Sequence, residues 1–557
     1  MIFLCFVYTE RKKQEGIGLG VYLDSKTGYA LYKSETEKPY FVDKTLLLKE
    51  LFPLVDEGSN YVCVTRPRRF GKTVMANMIA AFFSRACDSQ ELFEGRNISK
   101  ISGYEKYRNK YAVISISFND IAGDCTSYVQ YIKRIEKKLI RDLKRAYPEI
   151  DLDEDEYAVD VLSDIYAEHE GAQFIFILDE WDYLFHQDVA TEADKKMYLT
   201  FLRSLLKDRP YVKFAYMTGI LPIAKYSSGS ELNMFAEYTM VSEERFSEFF
   251  GFTEHEVDEL YQRYQKNNEG NLNISRDGIR MWYNGYHTQS GERLYNPRSV
   301  VMALSNNNLG NYWTSSGPYD EIYYYIANNV GEVRDDLALM AAGEAIPMKI
   351  REYAATARSL KTKEEIFSAM VVYGFLSYEN GKVYIPNKEL MDKFAEMLQR
   401  EPSLGYVYRL AKESGRMLEA TLHGDVVTMA AILEKAHNTE IPLLSYNNET
   451  DLTAVVNLVY LAARDRYRVE REDKAGVGYV DFIFYPEIDK SADAIILELK
   501  VNHTPEEAIQ QIKEKKYALK FQGKLGEKRV YTGRVLAVGI GYDKEKKEHR
   551  CKVEVLE

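Results

Sequence analysis

The stretch Tyr61–Thr73, YVCVTRPRRFGKT, decides the fold. Tyr61 to Thr65 is an apolar, β-branched run that reads as a buried strand. It gives way to a short basic loop, then to Gly71, Lys72 and Thr73, then to a helical pattern over Met75–Phe83. Strand, loop, GKT and helix together form the arrangement that cradles a nucleoside triphosphate. In it Gly71 lets backbone approach the phosphates, Lys72 reaches the β- and γ-phosphates, and Thr73 sets its hydroxyl on Mg²⁺. The helix N-terminus adds free N–H groups and the positive end of its dipole. The spacing departs from GxxxxGKS/T at the first glycine, which is Arg66 here, followed by Pro67. That removes a flexible residue and one N–H donor from the loop. A bare GKT also arises at basic turns before helices, so a second segment has to decide.

That segment is Gln173–Phe185, QFIFILDEWDYLF. Phe174 to Leu178 is a continuous apolar run, expected of a central parallel strand covered on both faces. It ends in Asp179 and Glu180. A carboxylate at the end of a strand beside the phosphate-loop strand is where Mg²⁺ is held, and a neighbouring Glu polarises the attacking water. Solvated acids at a strand end are common, but both segments in this order point to ATP and Mg²⁺. Val212–Thr218, VKFAYMT, reads as a third strand, on the pattern of P-loop ATPases that carry an extra strand between the two motifs. Thr218 is either a γ-phosphate sensor or a strand-end residue bonded to local backbone. Val113–Phe118 reads as a fourth strand, central or at an edge.

A chain of 557 residues exceeds a single core, so about three domains are expected. Net charge −12 excludes coating of nucleic acid by overall charge, so any such contact needs a local basic surface. Cys5, Cys63, Cys87, Cys125 and Cys551 form no CxxC pair and no zinc spacing, which fits a reducing, cytoplasmic compartment. The apolar start, MIFLCFVY, is too short for a membrane span and lacks the flanks of a signal peptide; no membrane partner is expected.

Residues 1–37 read as a lead-in with a small β-element over GIGLGVYLDSKTGYALY. Residues 38–235 alternate strand and helix, with a strand end and then an amphipathic helix in Tyr40–Phe52 and helices over Tyr128–Ala146, Glu156–Glu168 and Thr191–Leu206, which is α/β organisation. From 236 to 330 the strands fade into a helical lid. Thr253 with Glu256 makes a capping pattern, and Asn296-Pro297 starts a helix. Residues 331–435 read as a helical, winged-helix-like linker. Its two short strands surround Asn380-Gly381, and it is expected to pack rather than bind DNA.

Residues 436–557 carry separate chemistry. Tyr479–Tyr485 is a strand with Asp481 in an apolar setting; Ala494–Lys500 is a second with Glu498 and Lys500 on one face. Asp, then Glu-x-Lys on adjacent strands, suits a metal-dependent nuclease: Asp481 and Glu498 hold Mg²⁺ and Lys500 orients or deprotonates water. Cross-strand charge pairing on a solvated face is the plainer alternative, but a buried, unpaired carboxylate is costly and argues against it. The following HTPEEAIQQIKEKKYALKF reads as one helix. Lys513, Lys515, Lys516, Lys520, Lys524, Lys528 and Arg529 supply local positive charge for phosphates.

In YFVDKT, RPRRFGKT, ILDEWD, MTGI, GFTEHEV, WYNGY, YNPRSV, NYW, GVGYVDFIF, ILELK and AIQQIKEKKY, the chain resembles bacterial AAA-ATPase-like proteins with a C-terminal PD-(D/E)XK nuclease-superfamily domain. The resemblance implies a three-layer α/β/α ATPase domain, the central helical region, and an α/β nuclease-like domain. It implies an ATPase domain carrying Lys72, Thr73, Asp179 and Glu180, with Thr73 and Asp179 toward Mg²⁺ and Glu180 catalytic; with the loop and Thr218 read above, the residues expected around ATP are Arg66, Pro67, Arg68, Arg69, Phe70, Gly71, Lys72, Thr73, Asp179 and Thr218. Arg-Pro at the loop start is a trait of the family, and Asp182 matches an acidic position. In the C-terminal part it implies Asp481, Glu498 and Lys500 as the catalytic set, with Gln511, Tyr517 and Glu449 matching accessory positions. The chain departs from the family at Tyr479, where an Arg is usual. Two readings follow: an ATPase coupled to a Mg²⁺-dependent nuclease acting on DNA in preference to RNA, and a nucleotide-gated binding or signalling module with a non-catalytic nuclease fold. Arg68 and Arg69 serve phosphate within the chain or across a homo-oligomer interface.

Overall fold

The computed structural model describes residues 20–58, 60–119, 125, 127–150, 157–169, 171–187, 190–223, 231–240, 245–314, 330–350, 360, 362–438, 449–475, 478–487, 489–521 and 531–556. The chain divides into two compact units. One draws its described residues from Met1–Gly317, Lys349–Leu360 and Phe367–Gly381, the other from Pro318–Met348, Lys361–Ile366 and Lys382–Glu557.

The first unit is built on a parallel sheet of β1 (Asn60–Thr65), β2 (Ala112–Ser117), β3 (Phe174–Asp179), β4 (Val212–Gly219) and β5 (Ala236–Tyr238), in the order β2-β3-β4-β1-β5. Alternation along the strands sends Val62, Val64, Ile175, Ile177, Phe214 and Tyr216 to one face. There they meet α1 (Thr27–Thr36), α2 (Leu47–Glu57) and α3 (Lys72–Phe83) in one buried cluster. On the opposite face lie α4 (Tyr128–Ala146), α5 (Ala158–Glu168) and α6 (Glu192–Leu206); Tyr147 at the end of α4 meets Phe174 edge-on at 6.2 Å. All six residues of β3 are buried, which is why its sequence is an unbroken apolar run ending in Asp179.

Three sequence expectations change here. The strand carrying Asp179 is not directly beside the phosphate-loop strand: β4, which carries Thr218, lies between them as the extra strand and pairs in parallel with both. The sheet also continues past 236, with β5 pairing beside β1. The expected β-element near the start reduces to one antiparallel bridge, Leu23 to Ile114, followed by α1. Gly28 sits within that helix because a Cβ there would lie 2.9 Å from the Cβ of Ala80 on α3. Residues 1–19, with MIFLCFVY and Cys5, fall outside the described residues.

Beyond the sheet come α7 (Glu254–Asn267), α8 (Arg276–Tyr283) and α9 (Pro297–Asn306), packed in their own apolar cluster around Tyr264, Tyr283 and Val300. Thr253 and Glu256 form the reciprocal capping box, and Asn296 caps α9 with Pro297 in its first turn. Next, α10 (Lys363–Tyr373) precedes strands Ser377–Glu379 and Lys382–Tyr384. Between them Asn380 and Gly381 have φ of 50° and 79°, the conformation an Asn-Gly turn favours.

In the second unit, β6 (Tyr467–Ala475), β7 (Gly478–Pro486), β8 (Ala494–Val501), β9 (Val535–Asp543) and β10 (Glu548–Leu556) form a sheet in chain order. β8 and β9 are parallel, while the other pairs are antiparallel. Helix α11 (Glu449–Val459) precedes this sheet, and α12 (Pro505–Glu514) packs on it. The stretch expected as one helix breaks at Lys516, whose φ is 55°, and resumes as a separate turn over Tyr517–Phe521. No helix among the described residues is long and apolar enough to cross a membrane.

Candidate functional site

Two groups of side chains come together, one in each unit. In the first, β1 ends at Thr65 and the loop runs to Gly71, whose φ of 87° and open surroundings make it the left-handed start of α3. Lys72 is buried, and its Nζ donates to the carbonyls of Arg66 and Pro67, each at 2.9 Å. Burial pulls the Lys72 amine down to about 8, against the opposing charges of Asp182, Asp179 and Glu180. It therefore stays largely protonated at neutral pH.

Asp179 is buried at the end of β3 and takes a hydrogen bond from the Thr73 side chain. Burial, with the charge of Glu180 adding to it, raises its carboxyl to about 6 despite the Thr73 bond. Its Oδ1 is buried and has no hydrogen-bond partner among the described residues. The Thr218 hydroxyl on β4 is likewise buried and without a partner there. Glu180 follows in a left-handed conformation, φ 53°, which is strained for a residue with a Cβ. The pair Thr73 and Asp179, with one carboxylate oxygen unspent, suits an oxygen-coordinated divalent cation.

Not every expected residue faces this group. The Arg66 side chain is 1% exposed; it donates to the carbonyls of Thr65 and Tyr238, each at 2.8 Å, and lies over the Phe250 ring. Its guanidinium braces β1 against β5. Phe70 packs edge-on against Tyr286 at 5.0 Å, so it anchors the loop. Asp182 accepts from the N–H groups of Ile220 and Leu221 and from His186. Burial pushes its carboxyl up, but those bonds outweigh it and hold the carboxyl below its ordinary value. It ties the β3 end to the β4 end.

The structure adds Arg298, from YNPRSV, to the residues around Arg69. Desolvation, then the charges of Arg298 and Arg68, depress the Arg69 guanidinium, while Glu180 opposes them. The Arg298 Nε is buried and has no hydrogen-bond partner among the described residues. Several cations crowded together suit an anion. An arginine one residue into a capped helix was the available signal.

In the second unit, the β7–β8 pairing register begins at Phe482 with Leu497. One step further out the ladder stops, and Asp481 Oδ2 takes the N–H of Leu499 at 2.7 Å. Asp481 is therefore half-buried and partnered, not the buried, unpaired group expected from its apolar neighbours. The buried carboxylate is Glu498, 3% exposed. Lys500 Nζ lies 3.3 Å from its Oε1, which the Gln511 amide on α12 also contacts. Oε2 of Glu498 is buried without a partner among the described residues. Burial, then the charge of Asp481, raises Glu498 to about 7. Gly539 and Gly541 stand opposite Glu498 and Lys500 in the register, and a Cβ at Gly539 would come 2.3 Å from the Pro505 carbonyl. These glycines let α12 close onto the sheet and bring Gln511 to Glu498.

No group of three or more His, Cys, Asp and Glu side chains placed to hold a metal occurs among the described residues. A cation on Asp481 and Glu498 would complete its shell with water, backbone or substrate oxygens. Tyr517 is fully buried in the core of this unit, and Lys513 pairs with Glu554 at 2.5 Å. The side chains of Glu449, Tyr479 and Lys520, and all of Lys524, Lys528 and Arg529, lie outside the described residues.

Residues 31–228 match the family model described as predicted AAA-ATPase, and residues 449–546 match that of the PD-(D/E)XK nuclease superfamily. An uncharacterized protein in the vnfD 5' region of Azotobacter chroococcum mcd 1 is 26% identical over 301 residues, 51% of this chain. The chain spans about half the length of that relative, 52%. Among solved structures, the Walker-type ATPase PABY2304 of Pyrococcus abyssi aligns over 61% of this chain and 93% of its own, at 13% identity and a TM-score of 0.34. The Aeropyrum pernix ORC2 protein aligns over 68% and 96%, at 11% identity and a TM-score of 0.27.

Proposed function

From a chain that joins an AAA-ATPase-like domain to a PD-(D/E)XK nuclease-superfamily domain, we propose an ATP-hydrolysing switch coupled to a Mg²⁺-dependent nuclease that acts on DNA in preference to RNA. The observation that carries this reading is one feature repeated in both units. Asp179 and Glu498 are buried carboxylates with an oxygen left unpartnered among the described residues, and each lies near a lysine.

In the first unit, Lys72 and the backbone of 66–71 hold the phosphates, with Arg68, Arg69 and Arg298 adding positive charge. Thr73 and Asp179 hold Mg²⁺, which when bound neutralises charge developing on the phosphates. Glu180 orients the attacking water, and Thr218 contacts the terminal phosphate. In the second unit Asp481 and Glu498 hold Mg²⁺, Lys500 orients or deprotonates water, and Gln511 fixes the Glu498 carboxylate. We assign 38–235 to the ATPase, 236–330 to its lid, 331–435 to the linker and 436–557 to the nuclease, in a cytoplasmic protein open to self-association.

The test is ATP hydrolysis and plasmid nicking in one tube with Mg²⁺. Glu180→Gln is expected to bind ATP without turnover, Lys72→Ala to lose hydrolysis, and Glu498→Ala to lose nicking alone. Nicking that survives both Glu498→Ala and Asp481→Ala would sink the nuclease assignment. Tyr479, where the family usually has Arg, favours the second reading, a nucleotide-gated module whose nuclease fold does not cut. Hydrolysis without nicking by the wild type would select it.

A further inference from the structure

We propose that Tyr373-Gly374 is a strap seated on the phosphate loop that reports nucleotide occupancy to the rest of the chain. This rests on the nucleotide reading above. Three observations meet at these two residues, all within the first unit. Gly374, φ 84°, lies so close to the loop that a Cβ on it would be 2.6 Å from the Cβ of Pro67. Its carbonyl accepts from the Tyr286 hydroxyl at 3.0 Å, and the Tyr286 ring packs on Phe70 at the other end of the same loop. The Tyr373 hydroxyl lies 3.3 Å from Nδ1 of His186, whose Nε2 is 3.1 Å from Asp182 Oδ2. That oxygen accepts the N–H groups of Ile220 and Leu221, just past Thr218. The strap therefore touches the loop directly and the Thr218 strand end through two side chains.

The loop has a reason to move. A phosphate would compete for Lys72 Nζ with the Arg66 and Pro67 carbonyls that now accept from it. Releasing the Pro67 carbonyl shifts the ring on which Gly374 sits, and close-packed contacts transmit such shifts. Phe367–Gly381 is flanked along the chain by Lys361–Ile366 and Lys382, residues of the other unit. A displacement of the strap thus has a covalent route toward the unit that carries Glu498. The arrangement also gives Pro67 a purpose: its ring is the seat for Gly374.

The experiment is hydrogen exchange of peptides covering 367–381 in the full chain, with and without a non-hydrolysable ATP analogue, alongside a direct titration of that analogue. Wild type is expected to bind the analogue and change exchange in these peptides. Gly374→Ala forces a methyl onto Pro67 at positive φ and is expected to weaken analogue binding roughly tenfold. Gly415→Ala, in a helix with open space around it, is expected to leave binding unchanged. Tyr373→Phe keeps the ring and is expected to bind the analogue normally while losing most of the exchange response. Analogue bound by wild type with unchanged exchange at 367–381 overturns the strap and leaves the nucleotide reading standing. No binding by folded wild type overturns both.

Discussion

Glu498 is a carboxylate whose chemistry is governed by its burial. Its folded carboxyl titrates at about 7, against 4.5 for an unhindered Glu, because it is buried beside Asp481. The folded state therefore keeps a proton that the unfolded state releases. Without a divalent cation, stability from this group is fully present below about 4.5, declines as pH rises, and levels off above about 7. The full effect is about 3 kcal/mol. Glu498→Gln should remove that dependence, so in chelator above neutral pH the variant should resist urea better than wild type. A wild-type midpoint that does not fall with pH relative to the variant would contradict the burial argument. The spacing to Lys500 singles out this carboxylate in the sequence, whereas the apolar neighbours of Asp481 point to the wrong one of the pair as buried. Apolar neighbours along a strand suggest burial; only the end of the β7–β8 ladder reveals that Asp481 sits at an open edge. Arg66 was similarly legible as a loop residue but not as a brace, because Tyr238 and Phe250 are far from it in sequence.

At the scale of elements, local signals read well where local physics decides. Helix α4 occupies the expected Tyr128–Ala146, and Thr253 caps α7 as its spacing to Glu256 suggests. Glu256 also pairs with the buried Lys44 at 2.6 Å. Thr253→Ala should cost about 1 kcal/mol in thermal unfolding. Glu256→Ala should cost more, since it also leaves Lys44 without that partner. Elements fixed by tertiary contact were missed. α1 looked extended because Gly28 and its tyrosines weaken the helical pattern, and only its approach to Ala80 explains the glycine. On β9, Gly539→Val would drive α12 from the sheet and withdraw Gln511 from Glu498. Nicking should fall at least tenfold while ATP hydrolysis persists, which paired assays on one preparation would show.

For the whole molecule, the two families of fold were legible because each carries its own motif, but the path of the chain between them was not. The first unit takes in Phe367–Gly381 together with the residues expected to form the ATPase, 38–235. A chain ending at Gly317 should therefore bind nucleotide more weakly than the full chain, because Gly374 no longer backs Pro67. Adding Phe367–Gly381 as a separate peptide should not restore full affinity, since the covalent link supplies its effective concentration. Equal affinity of the shortened and full chains would count against this view, measured by titration with a fluorescent ATP analogue.

The bracing of the phosphate loop has a consequence for tempo. Where many such loops begin with a mobile glycine, this one begins with an arginine locked into the sheet and a proline seated on a neighbouring backbone. On the proposed function, a cradle held at both ends yields only when several of its contacts are exchanged together, so that loading it would be a discrete event.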